Sequence, residues 1–305
     1  MVPSHKTNSN ADRICLDPRP LNTALKREHD TLPTSDDVLP EHTNAKKVST
    51  FDLKSGYWHV TLDEESSVLT TFQTPYGRYK WKRLPFGTSV SSEIFQKRLH
   101  QALSGLKGIL TVADDVIAYG VGATLEEATE DHDRNVTHFL RRCREIGIRL
   151  NRGKMRLRQA QVSFVGHLLT RDGVKPDPDK IQAMTDMPEP TDVQGVQRLR
   201  GFVNYLAKFL PQLAEVIAPI GQLTHKGVPW SWTNTHQKAF DTIKEMVTNA
   251  PLLRYYDPNK ELSVQCDASQ NGLGAALMQD GQPIAYASRA MTDTEGRYAQ
   301  IEKEM

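Results

Sequence analysis

The sequence predicts an α+β fold with more than one domain, on three observations. Its 305 residues amount to about two domains at the usual ~150 residues each. Residues 48–120 mix β-rich runs with one amphipathic helix, and helices dominate from about 178 to 249. Beyond 261 the pattern changes to short strands joined by polar links, the mark of a separate antiparallel sheet.

Each element follows from local pattern. VSTFD at 48–52, YWHVTLD at 57–63 and LTTFQ at 69–73 are rich in β-branched and aromatic residues and read as strands. Residues 90–106 place Val90, Ile94, Phe95, Leu99, Ala102, Leu103 and Leu106 on one helical face. ILTVADDVIAYG at 109–120 reads as strand, turn, strand, and 162–174 as another hairpin. A helix spans about 125–147, with Val136, Phe139, Leu140, Cys143 and Ile146 at helical spacing. KPDPDK at 175–180 is Pro-rich, extended and a candidate hinge. Helices follow at 178–187, 192–208 and 235–249, while 211–233 shows little periodicity. ELSVQCD, GLGAALMQ and PIAYASRA form the last three strands.

Composition excludes several classes. With 38% hydrophobic residues and a mean hydropathy of −0.53, the chain can bury a core and is not a disordered tail. No apolar run approaches the ~18–20 residues that span a bilayer, and MVPSHKTNSN contains no secretory h-region. Cys15, Cys143 and Cys266 form no CxxC, which argues against a structural zinc site and for free thiols. The net charge is only +1, but its distribution is uneven. Residues 134–158 carry nine basic groups against one acid, a block that suits either a phosphate backbone or a solvated helix face.

Three aspartates carry the chemical signal. Asp52 ends a β-rich run, where Asp is disfavoured. Asp114 and Asp115 interrupt an apolar hairpin, and a tight turn can bring both near one sheet end. If Asp52 shares that end, three carboxylates converge. Their mutual repulsion, roughly 4 kcal/mol for a pair ~4 Å apart, would become binding energy for a divalent cation such as Mg²⁺. Asp-Asp is equally ordinary turn chemistry, and Asp52 equally a cap. Spacing alone leaves both open.

RICLDPRPLN at 13–22, FDLKSGYWHV at 51–60, LPFGTSVSSEIFQ at 84–96, VADD at 112–115 and VGH at 165–167 occur in this order. Together they resemble the reverse transcriptase of gypsy-class LTR retrotransposons, over nearly the whole chain. The resemblance implies a right-hand polymerase. Residues 1–27 and 60–88 would be fingers, 28–59 and 89–174 palm, and 175–218 thumb. Residues 219–258 would be connection and 259–305 a partial ribonuclease H-like sheet.

It also implies roles. Asp52 and Asp114 would bridge two Mg²⁺ ions, with Mn²⁺ a substitute, Asp115 as the supporting carboxylate and the Leu53 carbonyl as a further ligand. Tyr57 stands at the steric-gate position beneath the sugar, and Phe86 lines the same nucleotide pocket. Arg13 matches the fingers arginine on the incoming triphosphate, with Lys6 its companion candidate. Val165, Gly166 and His167 resemble the primer grip. CDASQNGLGAAL at 266–277 resembles the opening strands of ribonuclease H, with Asp267 its first metal ligand. Glu304 is then the second, and Glu302 is the alternative register. Template, primer and dNTPs are the implied partners, with no membrane. The implied setting is the cytoplasm or a virus-like particle.

The chain departs from the family pattern in three ways. Val112 replaces the aromatic of the YxDD box, the fingers are short, and the ribonuclease H portion is cut off. The expectation is a piece of a longer polyprotein or a decayed copy. The leading expectation is an RNA-directed DNA polymerase with an inactive ribonuclease H stub. A non-catalytic, nucleic-acid-binding remnant is the alternative, and the ordered motifs argue against an unrelated phosphohydrolase.

Overall fold

The computed structural model describes residues 2–5, 12–27, 45–269, 272–292 and 294–304, with no account of the side chains of 2–5, 12, 13, 300 and 304. Lys6 and the stretch 28–44 lie outside the described residues. The chain divides into two units, Met1–Ala160 and Gln161–Met305. The 162–174 segment, read as the end of a palm, therefore clusters with the second unit. Among the described residues no helix is long and apolar enough to cross a membrane.

The first unit is built on a four-stranded sheet, with β6 (Ile109–Val112), β7 (Asp115–Val121), β3 (Ala45–Asp52) and β8 (Arg156–Gln159) in that order. Val48, Phe51, Val116, Ile117 and Ala118 are buried in it. Helix α3 (Ser91–Leu103) and helix α4 (Leu125–Ile146) bring Phe95, Leu99, Leu103, Phe139 and Cys143 into the same core. Each large buried side chain contributes about 1.5–3 kcal/mol, and the Phe51 and Phe139 rings meet at 5.0 Å. Helix α4 starts at a capping box between Thr124 and Glu127 and stops at Gly147, whose φ of 75° suits glycine.

The buried face of α4 runs through Ala128, His132, Asn135, Phe139 and Cys143. Leu140 and Ile146, expected on that face, are exposed. Burial pushes the Cys143 thiol up to about 12, so it is inert. The smaller elements are β1 (Val2–His5), β2 (Asp12–Cys15), α1 (Arg19–Ala24), α2 (Glu64–Leu69), β4 (Phe72–Thr74) and β5 (Gly77–Tyr79).

Residues 57–63 are not a strand. A 3-10 helix spans Gly56–His59, entered through Ser55 at φ 57°. Thr61 then makes a single bridge to Arg83, and Asp63 caps α2 by accepting the Ser66 N–H. The alternation in YWHVTLD is real, but Tyr57 packs on Phe86 and Phe95 rather than in a ladder.

In the second unit, β9 (Val162–Phe164), β10 (His167–Thr170) and β11 (Gly173–Pro176) form a meander, one strand more than the expected hairpin. KPDPDK is not one extended stretch: Pro176 ends β11, Asp177 caps the next helix and Pro178 opens it. The helices are α5 (Pro178–Thr185), α6 (Val193–Tyr205), α7 (Leu213–Gln222) and α8 (Asn234–Thr248). Helix α7 falls where the sequence shows little periodicity, with Pro219 inside it. Strands β12 (Ser263–Ala268), β13 (Gly272–Gln279) and β14 (Gln282–Ala290) pair antiparallel as expected, and α9 (Gln300–Glu304) ends the described chain.

Candidate active site

The β3–β7 ladder aligns Asp52 with Asp115 as direct partners. Directly opposed residues of an antiparallel pair point to the same face, their Cβ atoms about 4.5–5.5 Å apart. The β6–β7 turn places Asp114 immediately before them, and the Leu53 N–H donates to the Asp114 carbonyl at 3.0 Å. The turn has only two central residues, Ala113 and Asp114, and Ala113 takes a φ of 50°. Positive φ at the first central residue is the sign pattern of a type II′ hairpin turn. Asp114 and Asp115, 62 and 63 positions after Asp52, thus stand with it at one end of one ladder.

Their electrostatics show it. The Asp115 carboxyl is held above the ordinary carboxylate range, first by burial, then by the charges of Asp52 and Asp114, although its side chain still reaches solvent. Lys154 opposes that shift, and its Nζ sits 2.6 Å from Asp52 Oδ2. Asp114 Oδ1 is shielded from solvent beside Gly56, where any Cβ would lie 2.4 Å from it. Among the described residues no three His, Cys, Asp or Glu side chains close into a group set to hold a metal ion. The donor set nonetheless suits a hard divalent cation: carboxylate oxygens in excess, with an ammonium already balancing one of them.

Beside the carboxylates lies an aromatic platform. Tyr57 stacks on Phe86 with ring centroids 4.6 Å apart and meets Phe95 at 5.5 Å. The Leu16 N–H donates to the Phe86 carbonyl at 2.8 Å, and Asn22 bonds both Gly87 O and the Ser89 N–H. Gly87, at φ 112°, is required there because a Cβ would stand 2.1 Å from the Leu16 carbonyl. Arg13 lies on β2, three residues before this anchor, but its side chain lies outside the described residues.

The remaining expected residues belong to the second unit. Val165 and Gly166 form the β9–β10 turn with φ values of 45° and 69°, the type I′ pattern. His167 is buried, its Nδ1–H donating to the Val165 carbonyl, which also accepts the Tyr205 hydroxyl. Gly166 lies so close to Tyr205 that a Cβ would meet its hydroxyl at 2.3 Å. Asp267, on β12, accepts from Gln212 Nε2 at 2.9 Å. Glu304 is in α9 with its side chain outside the described residues, and the Glu302 carboxylate accepts the Ala299 N–H.

Sequence reasoning missed three contributors. Lys154 stands out in the sequence only as part of a basic block. Within that block Arg134 and Arg158 pair with Asp131 and Asp133, so two of its nine basic groups are balanced by these neighbours inside the unit. Gly56 lay within FDLKSGYWHV without a role, and its signal was a glycine in an otherwise bulky run. The third is a hydrogen-bonded chain through the core of the first unit. The Arg158 N–H donates to Ser49 Oγ, the Ser49 hydroxyl to His132 Nε2 at 2.7 Å, and His132 Nδ1–H to Asp133. Ser49 and His132 are buried, so this is an anchor of β8 to β3 and not a nucleophile.

Residues 5–169 match the family model for reverse transcriptase (RNA-dependent DNA polymerase). Residues 232–305 match that for an RNase H-like domain found in reverse transcriptase. The Pol polyprotein of transposon 412 from Drosophila melanogaster is 34% identical over 316 residues, covering 100% of this chain and 25% of that protein. The gypsy Pol polyprotein of the same organism is 30% identical over 307 residues, covering 96% and 29%. The chain thus spans about a quarter of the length of these curated relatives. A foamy viral protease-reverse transcriptase solved with dsDNA superposes with a TM-score of 0.87 at 26% identity, over 99% of this chain and 63% of that one. The same viral enzyme with an RNA/DNA hybrid superposes at 0.83, over 99% and 40%.

Proposed function

Because this chain belongs to the reverse transcriptase family, we propose that it is the polymerase portion of an LTR-retrotransposon Pol polyprotein and extends a primer on an RNA or DNA template with dNTPs. The observation that carries this reading is the register that opposes Asp52 and Asp115 beside the Asp114 turn. In this reading the first unit supplies palm and fingers. The second supplies the primer grip, thumb, connection and the start of a ribonuclease H-like sheet with Asp267 and Glu304.

Asp52, Asp114 and the Leu53 carbonyl would hold two Mg²⁺ ions, for which Mn²⁺ would substitute, with Asp115 in support. Bound divalent ions supply charge that makes the primer 3′-OH more acidic and stabilises the departing pyrophosphate. The protein's own residues do the rest. Asp115 has its carboxyl pushed upward by burial and by the Asp52 and Asp114 charges, a cost that a bound cation would relieve. Lys154 balances Asp52 from an exposed, movable side chain and can swing away. Tyr57, braced on Phe86, forms the floor against which a 2′-OH would clash, and Arg13 would grip the triphosphate with its guanidinium fork. Val112, small where an aromatic is expected, leaves primer placement to the turn of Val165, Gly166 and His167.

The test is primer extension on an RNA template with dNTPs and Mg²⁺. Asp114→Asn should abolish extension and leave duplex binding intact, and Tyr57→Ala should raise ribonucleotide incorporation. Equal extension by Asp114→Asn would remove the carboxylate assignment. Salt-sensitive binding with no extension by the wild type would favour the non-catalytic remnant.

A further inference from the structure

Beside the carboxylate turn the first unit contains a cavity of about 470 Å³ to which the polymerase reading assigns no ligand. One wall is α3, where Phe95, Arg98, Leu99 and Ala102 follow i, i+3, i+4, i+7 spacing and share a face. Leu53 and Ile148 line the cavity with them. Its size lies in the ~300–1,000 Å³ range of small-molecule sites, which pair apolar walls with a few fixed polar groups.

The polar groups sort themselves by what they already hold. His59 accepts the Arg149 N–H at Nε2 and uses Nδ1 on the Gly56 carbonyl. Asp63 spends its carboxylate on the Ser66 N–H at 2.7 Å, the cap of α2. Arg98 is exposed and makes no hydrogen bond or ion pair among the described residues. Besides His59, the Asp63 carboxylate and the Thr61 and Ser66 hydroxyls, the cavity presents apolar walls, and Arg98 is its one guanidinium.

We infer that this cavity binds an amphipathic monoanion, an aromatic body on Phe95, Leu99 and Leu53 with its carboxylate or sulfonate on Arg98. Two walls are shared with the carboxylate site. The Leu53 N–H holds the Asp114 carbonyl at 3.0 Å, and Phe95 meets the Tyr57 ring at 5.5 Å. An occupant pressing on them disturbs the turn and the aromatic platform, so it slows extension without competing with dNTP. This second consequence rests on the polymerase reading, whereas binding does not.

The probe is anilinonaphthalene sulfonate, read by its fluorescence on the full chain. Saturable binding to one site is expected. Arg98→Gln should weaken it about tenfold, the loss of one charge-assisted contact. Ala102→Trp, which fills the cavity from a half-buried helix position, should abolish it, with circular dichroism confirming that both variants fold. Binding unchanged in both variants would overturn the site. The probe should also slow extension by the wild type and not by Ala102→Trp, and equal slowing of both would overturn the coupling. Loss of all extension without probe would count against the polymerase reading, and the binding arm would still decide the site.

Discussion

Gly56→Ala tests the proposed site at the point where packing and chemistry meet. The added methyl would lie 2.4 Å from Asp114 Oδ1 and 2.9 Å from Phe95 Cζ, against at least 3.4 Å for an ordinary contact. Backbone strain is not involved, because Gly56 has no positive φ. The carboxylate must retreat by about 1 Å, and a misplacement of that size costs about 10²-fold in rate. Overpacking adds about 1–3 kcal/mol of destabilisation. At about 2–4 °C per kcal/mol for a unit of this size, the melting temperature should fall by about 2–12 °C. Gly201→Ala is the control: that helical glycine has nothing within 4 Å of its virtual Cβ, so the change should be neutral or slightly stabilising. The assay is single-turnover primer extension at a temperature where both variants are folded. Wild-type extension by folded Gly56→Ala would refute the role given to Asp114.

Other outcomes follow from the same geometry. The folded Asp115 carboxyl binds its proton at higher pH than the unfolded one, so stability should fall as pH rises from the ordinary carboxylate value through the raised one. Asp115→Asn should remove that slope from melting curves recorded in chelator. Lys154→Met should destabilise the metal-free protein by less than about 1 kcal/mol, because its side chain is 64% exposed. It should also enlarge the melting shift produced by Mg²⁺. Ser49→Ala strands the buried His132 Nε2, at about 1–3 kcal/mol, and removes the acceptor of the Arg158 N–H, which urea unfolding would detect. Val165→Asn creates the Asn-Gly pair that a type I′ turn prefers and relieves a β-branched residue at φ 45°. It should stabilise the second unit by about 1 kcal/mol.

Three of the sheet's four strands and its carboxylates are legible in the sequence because their signals are local, whereas β8 hides within the basic block. β-branched runs marked β3 and β7, and Asp114 and Asp115 stood out against apolar neighbours. The misses came from tertiary forces. YWHVTLD alternates like a strand, but Tyr57 is captured by two rings that arrive from 29 and 38 positions away. Helix α7 hid behind Pro219, and its burial is set by partners such as β14 and α8. Lys154 was unreadable for a different reason: a charge surrounded by like charges gives no hint that its partner lies 102 positions upstream.

The ladder that opposes Asp52 to Asp115 works as a ruler whose marks are Phe51, Val116 and Ala118. A slip of one residue would turn Asp52 to the opposite face, and a slip of two would carry it about 7 Å along the strand. Either is far more than any metal–oxygen bond could absorb. Hydrophobic residues that never touch a substrate therefore decide alignment as well as stability. A core variant that folds well but shifts the pairing would be inert for want of calibration.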